Sequence, residues 1–290
     1  MTTSNSATAP RQRHLVARNI AVGYGERTVL HNLTYDFVPG AITSIIGPNG
    51  CGKSTFLRTL GRYLTPQQGA VYLDERPLRD YPSKELARSI GVLPQSPLAP
   101  DGISVADLIG RGRTPHQGFF GRWSHTDYEV VAQAMTDTGT TELAERAIEE
   151  LSGGQRQRVW IAMALAQKTD ILLLDEPTTY LDLKHQLDIL DLLTDLNARA
   201  GTTIVMVLHD LNLAARYSHQ LVAMADGEIR ATGTPAEVIT PSTLASVFEL
   251  DSIVITDPVS GLPAVMPRSR HHNNANPNQF SDSMEVPHRV

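Results

Sequence analysis

The chain of 290 residues carries a net charge of −6 and a single cysteine, Cys51. That balance gives no electrostatic pull toward nucleic acid, and one thiol excludes a disulfide framework and suits a reducing compartment. With 41% hydrophobic residues a sizeable core can form, yet no apolar run approaches the ~18 residues that span a bilayer, and Met1 to Pro10 lacks the apolar stretch of a signal peptide.

Residues 1–12 read as a flexible leader. Strands are expected over Leu15 to Val22 and Thr28 to Phe37, where Leu33, Tyr35 and Phe37 alternate at period 2. The turn between them holds Tyr24 between two glycines. Its local pattern is that of an ordinary turn tyrosine; the alternative is a ring on which a purine stacks. Ala41 to Ile46 reads as a short buried strand, and Gly69 to Leu73 adds another. An antiparallel patch is therefore expected to flank the glycine-rich stretch that leaves the Ala41 strand. This stretch, Gly47-Pro48-Asn49-Gly50-Cys51-Gly52-Lys53-Ser54-Thr55, fits G-x-x-x-x-G-K-[ST], and Phe56, Leu57, Leu60 and Tyr63 then recur at helical spacing. Glycines let backbone N–H groups turn inward as an anion nest, and the helix after them adds its positive dipole end. Lys53 is expected at the β- and γ-phosphates, and the Ser54 hydroxyl on Mg²⁺.

A helical stretch is expected over Leu78 to Ser89, then an apolar run to Leu93 and, after Pro94, Gln95 in a loop beside a strand end. Residues 96–127 are irregular, with Phe119, Phe120 and Trp123 beside Arg111, Arg113 and Arg122. These aromatics form either a small core under a long loop or a docking surface. Thr126 and Glu129 fit a capping box opening a helix to about Asp137, and another helix is expected over Thr141 to Glu149. Residues 96–150 thus read as a mainly helical insertion.

Ser152 is a good N-cap ahead of Gly153, Gly154 and Gln155, with Val159, Met163 and Ala166 marking a helix face. This is either a plain capped helix start or a second anion site. Ile171 to Leu174 is a buried strand delivering Asp175 and Glu176 at its C-terminal end. After a phosphate loop, Asp175 suits Mg²⁺ and Glu176 suits a general base for the attacking water. Beyond Tyr180-Leu181-Asp182, leucines at 183, 187, 190 and 193 mark an amphipathic helix ending near Gly201. Thr202 to Leu208 is another buried strand, ending at His209, which is either a satisfied surface histidine or a donor to the γ-phosphate. A hairpin turns at Asp226-Gly227, Thr234 to Glu237 opens a short capped helix, and a terminal hairpin is expected around Asp257 to Gly261. Residues 267–290 are rich in Asn, Pro and His and read as a disordered tail, with His271-His272 a weak metal candidate.

In this order, Gly47 to Thr55, Leu151 to Gln155 and Ile171 to Glu176 resemble an ABC-type ATPase subunit. Gln95, Asp182 and His209 fall where that family carries its Q-, D- and H-loops, and Tyr24 where it carries an adenine-stacking aromatic. The Leu-Ser-Gly-Gly-Gln stretch discriminates, since other phosphate-loop families lack it. The resemblance covers about residues 13–266 and implies an α/β phosphate-loop NTPase (RecA-like) core with an N-terminal antiparallel β patch and an inserted helical subdomain at about 96–150. It implies a head-to-tail homodimer with two ATP molecules and Mg²⁺ at the interface, Ser152, Gly153 and Gly154 of one subunit facing the γ-phosphate held by Lys53 of the other. Gln95 is then a metal-site residue linking that phosphate to the subdomain.

Gly110 to His116, Thr178 to Asp182, Val207 to Arg216 and Asp257 to Pro263 resemble, more narrowly, importers of iron–siderophores, haem and cobalamin, with ferric siderophore favoured. That resemblance implies permease subunits, an extracytoplasmic substrate-binding protein and a peripheral location on the cytoplasmic face of the membrane. A soluble ABC protein acting on nucleic acid or ribosomes would carry long coiled coils or two cassettes, which this sequence lacks. A simple phosphate-loop kinase leaves Ser152 to Gln155 unexplained.

Overall fold

The computed structural model describes residues 13–25, 27–118, 122–179 and 181–268. The leader, Phe119, Phe120, Tyr180, the His271-His272 pair and the tail from residue 269 lie outside the described residues. The chain begins with β1 (Leu15–Tyr24), β2 (Arg27–Asp36), β3 (Ile42–Ile46), α1 (Lys53–Leu60), β4 (Gln68–Leu73) and β5 (Arg76–Pro77). Next come α2 (Ser83–Ser89), β6 (Ile90–Leu93), α3 (Val105–Gly110), α4 (His125–Asp137) and α5 (Gly153–Ala166). Then follow β7 (Ile171–Asp175), α6 (Leu183–Ala200), β8 (Thr203–Val207), α7 (Leu211–Tyr217), β9 (Gln220–Ala225) and β10 (Glu228–Gly233). The last elements are α8 (Pro235–Val238), α9 (Pro241–Phe248), β11 (Ser252–Thr256) and β12 (Pro263–Pro267).

The central sheet has the order β10-β9-β3-β8-β7-β6, parallel except for β10. Its inner strands β3, β7 and β8 are buried at every position because both faces are covered. Alternate residues enter different cores. Leu172, Leu174, Ile204 and Met206 join residues of α4, α5 and α6 on one face. Ile171, Leu173, Val205 and Val207 meet α1 and the antiparallel sheet β2-β1-β4-β5 on the other, where Phe37, Phe56 and Leu60 fill the gap. This is the expected α/β phosphate-loop architecture with its antiparallel patch. Parallel order also sets the C-terminal ends of β3, β7 and β8 side by side, so the chain after Ile46, after Leu174 and after Val207 emerges at one edge.

Local structure departs from expectation in three places. The Leu78 to Ser89 stretch splits into a 3-10 turn at Leu78–Asp80 and helix α2, because Pro82 holds Tyr81 extended. Helix α4 is opened by Ser124 and Asp127, not by Thr126 and Glu129. The same Asp127 carboxylate accepts from Arg113 Nε at 2.8 Å, so a tertiary ion pair selects the helix start. The helix expected over Thr141 to Glu149 is two 3-10 turns, Thr141–Leu143 and Ile148–Glu150. Between and beside them the backbone pairs with the segment ahead of α3, Val105 N–H to Arg146 C=O and Ile148 N–H to Ile103 C=O. Those groups are then no longer free to continue a helix.

The Gly110 to His116 stretch is a clamp. Arg113 is buried and also donates to the Ala166 carbonyl at the end of α5. A Cβ on Gly112 would lie 2.4 Å from the Met163 carbonyl oxygen, so only glycine lets this turn sit on α5. Trp123 packs against Tyr128 with ring centroids 4.8 Å apart and against the core, which answers the local-core reading for this aromatic.

Candidate functional site

Residues 47–52 lead from β3 into α1. A Cβ on Gly47 would meet the Met224 carbonyl oxygen at 2.2 Å, so the loop can turn back over β9 only as glycine. Gly52 occupies the N-cap of α1 without a side-chain cap, which leaves first-turn N–H groups open to an anion. Lys53 is buried, and its Nζ donates to the carbonyls of Gly47 and Pro48, each at 2.9 Å.

Ser54 Oγ donates to Asp175 Oδ1 at 2.9 Å. The other Asp175 oxygen, Oδ2, is buried with no partner. Burial pushes this carboxyl up, and the Ser54 hydrogen bond opposes the rise. Glu176 follows with φ 55°, a left-handed conformation unusual for a side chain of its size. Its carboxylate is held from three directions: Oε2 accepts from Gln95 Nε2 at 2.8 Å and from Thr179 Oγ1 at 3.1 Å, while His209 Nε2 lies 2.6 Å from Oε1. Lys53, Ser54, Gln95, Glu176, Thr179 and His209 line one cavity of about 710 Å³ together with Asn49, Gly50, Gly52 and Thr55.

A second cavity of about 660 Å³ continues along the loop past Pro48, Asn49, Gly50 and Cys51 to the half-exposed Tyr24. Arg27, Val29, His31 and Asp226 complete its wall. Cys51 lies in this wall with a buried thiol whose pKa burial pushes up, and its carbonyl accepts from Gly227 N–H. Ser152, Gly153, Gly154, Gln155 and Asp182 line neither cavity. Ser152 and Gln155 form a capping box, Ser152 N–H to Gln155 Oε1 at 3.0 Å and Gln155 N–H to Ser152 Oγ at 3.3 Å. Ser152 and Gly153 are exposed at that helix start. Asp182 caps α6 by accepting from His185 N–H at 2.9 Å. The structure therefore joins the loop, Gln95, Asp175, Glu176 and His209, and leaves the Ser152 group apart from them.

Sequence reasoning missed Thr179, Val29, His31 and Asp226. Thr179 lies three residues after Glu176, yet only the left-handed turn at Glu176 brings its hydroxyl onto the carboxylate. The other three come from β2 and the β9–β10 turn, and nothing local marks them. No group of three or more His, Cys, Asp or Glu able to hold a metal occurs among the described residues.

A family model described as "ABC transporter" matches residues 30–179. The chain belongs to the ABC transporter family. It is 51% identical over 256 residues to the ferric enterobactin transport ATP-binding protein FepC of Escherichia coli (strain K12), covering 88% of this chain and 94% of that protein. It is 50% identical over 252 residues to the iron(3+)-hydroxamate import ATP-binding protein FhuC of Bacillus subtilis (strain 168), covering 87% and 94%. A solved metal-chelate type ABC transporter in an inward-facing conformation matches with a TM-score of 0.77 and 30% identity, over 90% of this chain and 99% of that one. As an ABC transporter ATP-binding chain this protein binds ATP and is an ATPase. None of its described helices is long and apolar enough to cross a membrane.

Proposed function

We propose that this ABC ATPase drives the import of ferric siderophores. The observation that carries the cargo class is its identity of about half, over nearly the whole chain, with two relatives named for chemically different ferric siderophores. The working unit is a homodimer on the cytoplasmic face of the membrane, docked to permease subunits that receive cargo from an extracytoplasmic binding protein. Residues 13–266 form the ATPase domain, and its helical part, about 96–150, faces the permease.

Within the site, Tyr24 stacks the adenine while the amides of Gly47 to Gly52 and the start of α1 take the phosphates. Lys53 exchanges the Gly47 and Pro48 carbonyls for phosphate oxygens. Mg²⁺ fits the residues present: a buried Asp175 oxygen with no donor, beside the Ser54 hydroxyl, is the hard oxygen set such a cation takes with phosphates and water, and Gln95 stands at its edge. Held by Ser54 and Asp175, such a cation would supply charge neutralisation at the transferred phosphoryl group. Glu176 takes the proton of the attacking water, and His209 holds that carboxylate and donates to the γ-phosphate. Ser152, Gly153 and Gly154 come from the partner subunit, whose exposed helix start offers the remaining N–H groups. Hydrolysis is then conditional on closure.

The test is uptake of ⁵⁵Fe-siderophore in a strain lacking the gene. Wild type is expected to restore uptake and Glu176→Gln to fail. The purified variant is expected to keep ATP affinity while turnover falls about 10²- to 10⁴-fold, the span of a lost general base. Uptake that never depended on the gene would refute the cargo; near-normal turnover of Glu176→Gln would refute the general base.

A further inference from the structure

His209 stands between β8 and α7, directly ahead of the N-cap of α7. That start is made by Asp210, whose Oδ1 accepts from the N–H groups of Asn212 at 2.8 Å and Leu213 at 2.9 Å. The Asn212 side chain points the other way, to β12. Its Oδ1 accepts from Val265 N–H at 2.7 Å and its Nδ2 donates to Val265 C=O at 3.4 Å. One amide thus takes both backbone groups of one residue, as a neighbouring strand would.

The C-terminal hairpin is arranged for this clasp. Val265 pairs with Val254 across the ladder, and in an antiparallel pair a residue's N–H and C=O point to the same side. Because both reach Asn212, Val265 faces away from β11, and so do Pro263 and Pro267, which share its parity. Proline has no N–H to offer. The outer edge of β12 therefore carries one amide donor, and Asn212 uses it. Val265 is buried against the main core, so the hairpin is seated, not loose. The Asp257 turn is closed by Ser260 Oγ at 2.6 Å and Val259 N–H at 3.0 Å.

We propose that Asn212 is a positioning residue for ATP hydrolysis, its clasp on Val265 making the C-terminal hairpin a brace for the helix that follows His209. The hairpin turns through the Asp257 to Pro263 stretch, which nucleotide chemistry does not otherwise employ. The inference rests on the role of His209 proposed for hydrolysis.

The experiment uses the full-length chain carrying Asn212→Ala or Val265→Pro, which remove the clasp from opposite sides. The imidazole resonances of His209 are expected to shift in both variants, while those of His116, held on the Gln167 carbonyl elsewhere, stay put. Turnover is expected to fall about tenfold, the scale of a sub-ångström to ångström misplacement, with KM for ATP unchanged. The double variant is expected to be no worse than either single one, since the two share a single interaction. Ser260→Ala, at the hairpin tip, keeps both His209 resonances and turnover. Unmoved His209 resonances, unchanged turnover in both variants, or additive losses in the double variant would each overturn the proposal. His209→Ala separates the two readings: if it leaves turnover intact, the role of His209 fails and the resonances alone decide the clasp.

Discussion

Asp175→Asn is expected to make the nucleotide-free chain more stable and a worse ATP binder. At neutral pH, Asp175 is a buried carboxylate with one oxygen bonded to Ser54 and the other bonded to nothing. An unsatisfied buried polar group costs about 1–3 kcal/mol, and a charge makes that cost larger. Asparagine keeps an acceptor for Ser54 and removes the charge; its own buried N–H groups and the lost attraction to Arg58 and Lys53 offset part of the gain. A net gain of about 1 kcal/mol corresponds to a Tm rise of about 2–4 °C for a domain this large. The sign with pH follows from a folded pKa raised above the ordinary 3.8. The native state then holds the proton more tightly than the unfolded one, so wild-type stability falls as pH rises from 3.8 through the raised value. The advantage of asparagine is full above the raised value and fades as pH drops toward 3.8. Nucleotide affinity responds oppositely: with Mg²⁺ present it is expected to drop at least about tenfold, and with chelator present to change little. Scanning calorimetry across pH, with ATP titrations in Mg²⁺ and in EDTA, measures both arms. A lowered Tm without nucleotide, or an unchanged Mg²⁺-dependent affinity, would show that the orphan oxygen is not a cation ligand held in readiness.

Arg113→Ala is expected to cost about 3–5 kcal/mol, because it strands Asp127 in a buried site. Urea unfolding followed by tryptophan fluorescence reports it, since Trp123 and Trp160 both belong to this region; a loss below about 1 kcal/mol would refute the clamp. The Ser124 N–H and Arg113 hold the Asp127 carboxyl down to about 2, so the pair's contribution is full above 3.8 and lost as pH falls through about 2. Mixing Ser152→Arg with Lys53→Ala protomers leaves one composite site whole in each mixed dimer, so partial ATPase activity is expected. No activity at all would count against head-to-tail pairing.

The sheet was legible because its inner strands are buried on both faces: Ile171 to Leu174 and Ile204 to Leu208 announce themselves as unbroken apolar runs, with acids and a histidine at their ends. Caps were legible where a side chain bonds within its own turn, as at Ser152 with Gln155 and Thr234 with Glu237. They failed where a distant partner chose. Ser124 and Thr126 both fit the local pattern, and only Arg113, brought in from another turn, decides for Asp127. The Thr141 to Glu149 segment failed for the same reason, its backbone being taken by the strand-like stretch before Val105. Tyr24 was undecidable locally, since the cavity it lines is shared with Asp226 from a distant turn of the chain.

The site's charges are largely satisfied before any nucleotide arrives. Lys53 rests on two carbonyls, Glu176 accepts from Gln95 and Thr179 with His209 beside it, and Asp175 keeps a buried oxygen without a partner. Binding ATP therefore exchanges hydrogen bonds at Lys53 rather than adding them, which favours the phosphates chiefly through charge. The grip on Glu176 has a different consequence. A carboxylate that accepts from Gln95 and Thr179 on one oxygen, with His209 Nε2 2.6 Å from the other, has both oxygens engaged before a water arrives. For Glu176 to take a proton, at least one of these must let go. Gln95 leads into the helical insertion and His209 into α7, so on the proposed mechanism these two elements are where closure of two subunits would act on Glu176. On the proposed mechanism, the contacts that order Glu176 in a single chain would also restrain hydrolysis there until the Ser152 helix of a second chain arrives.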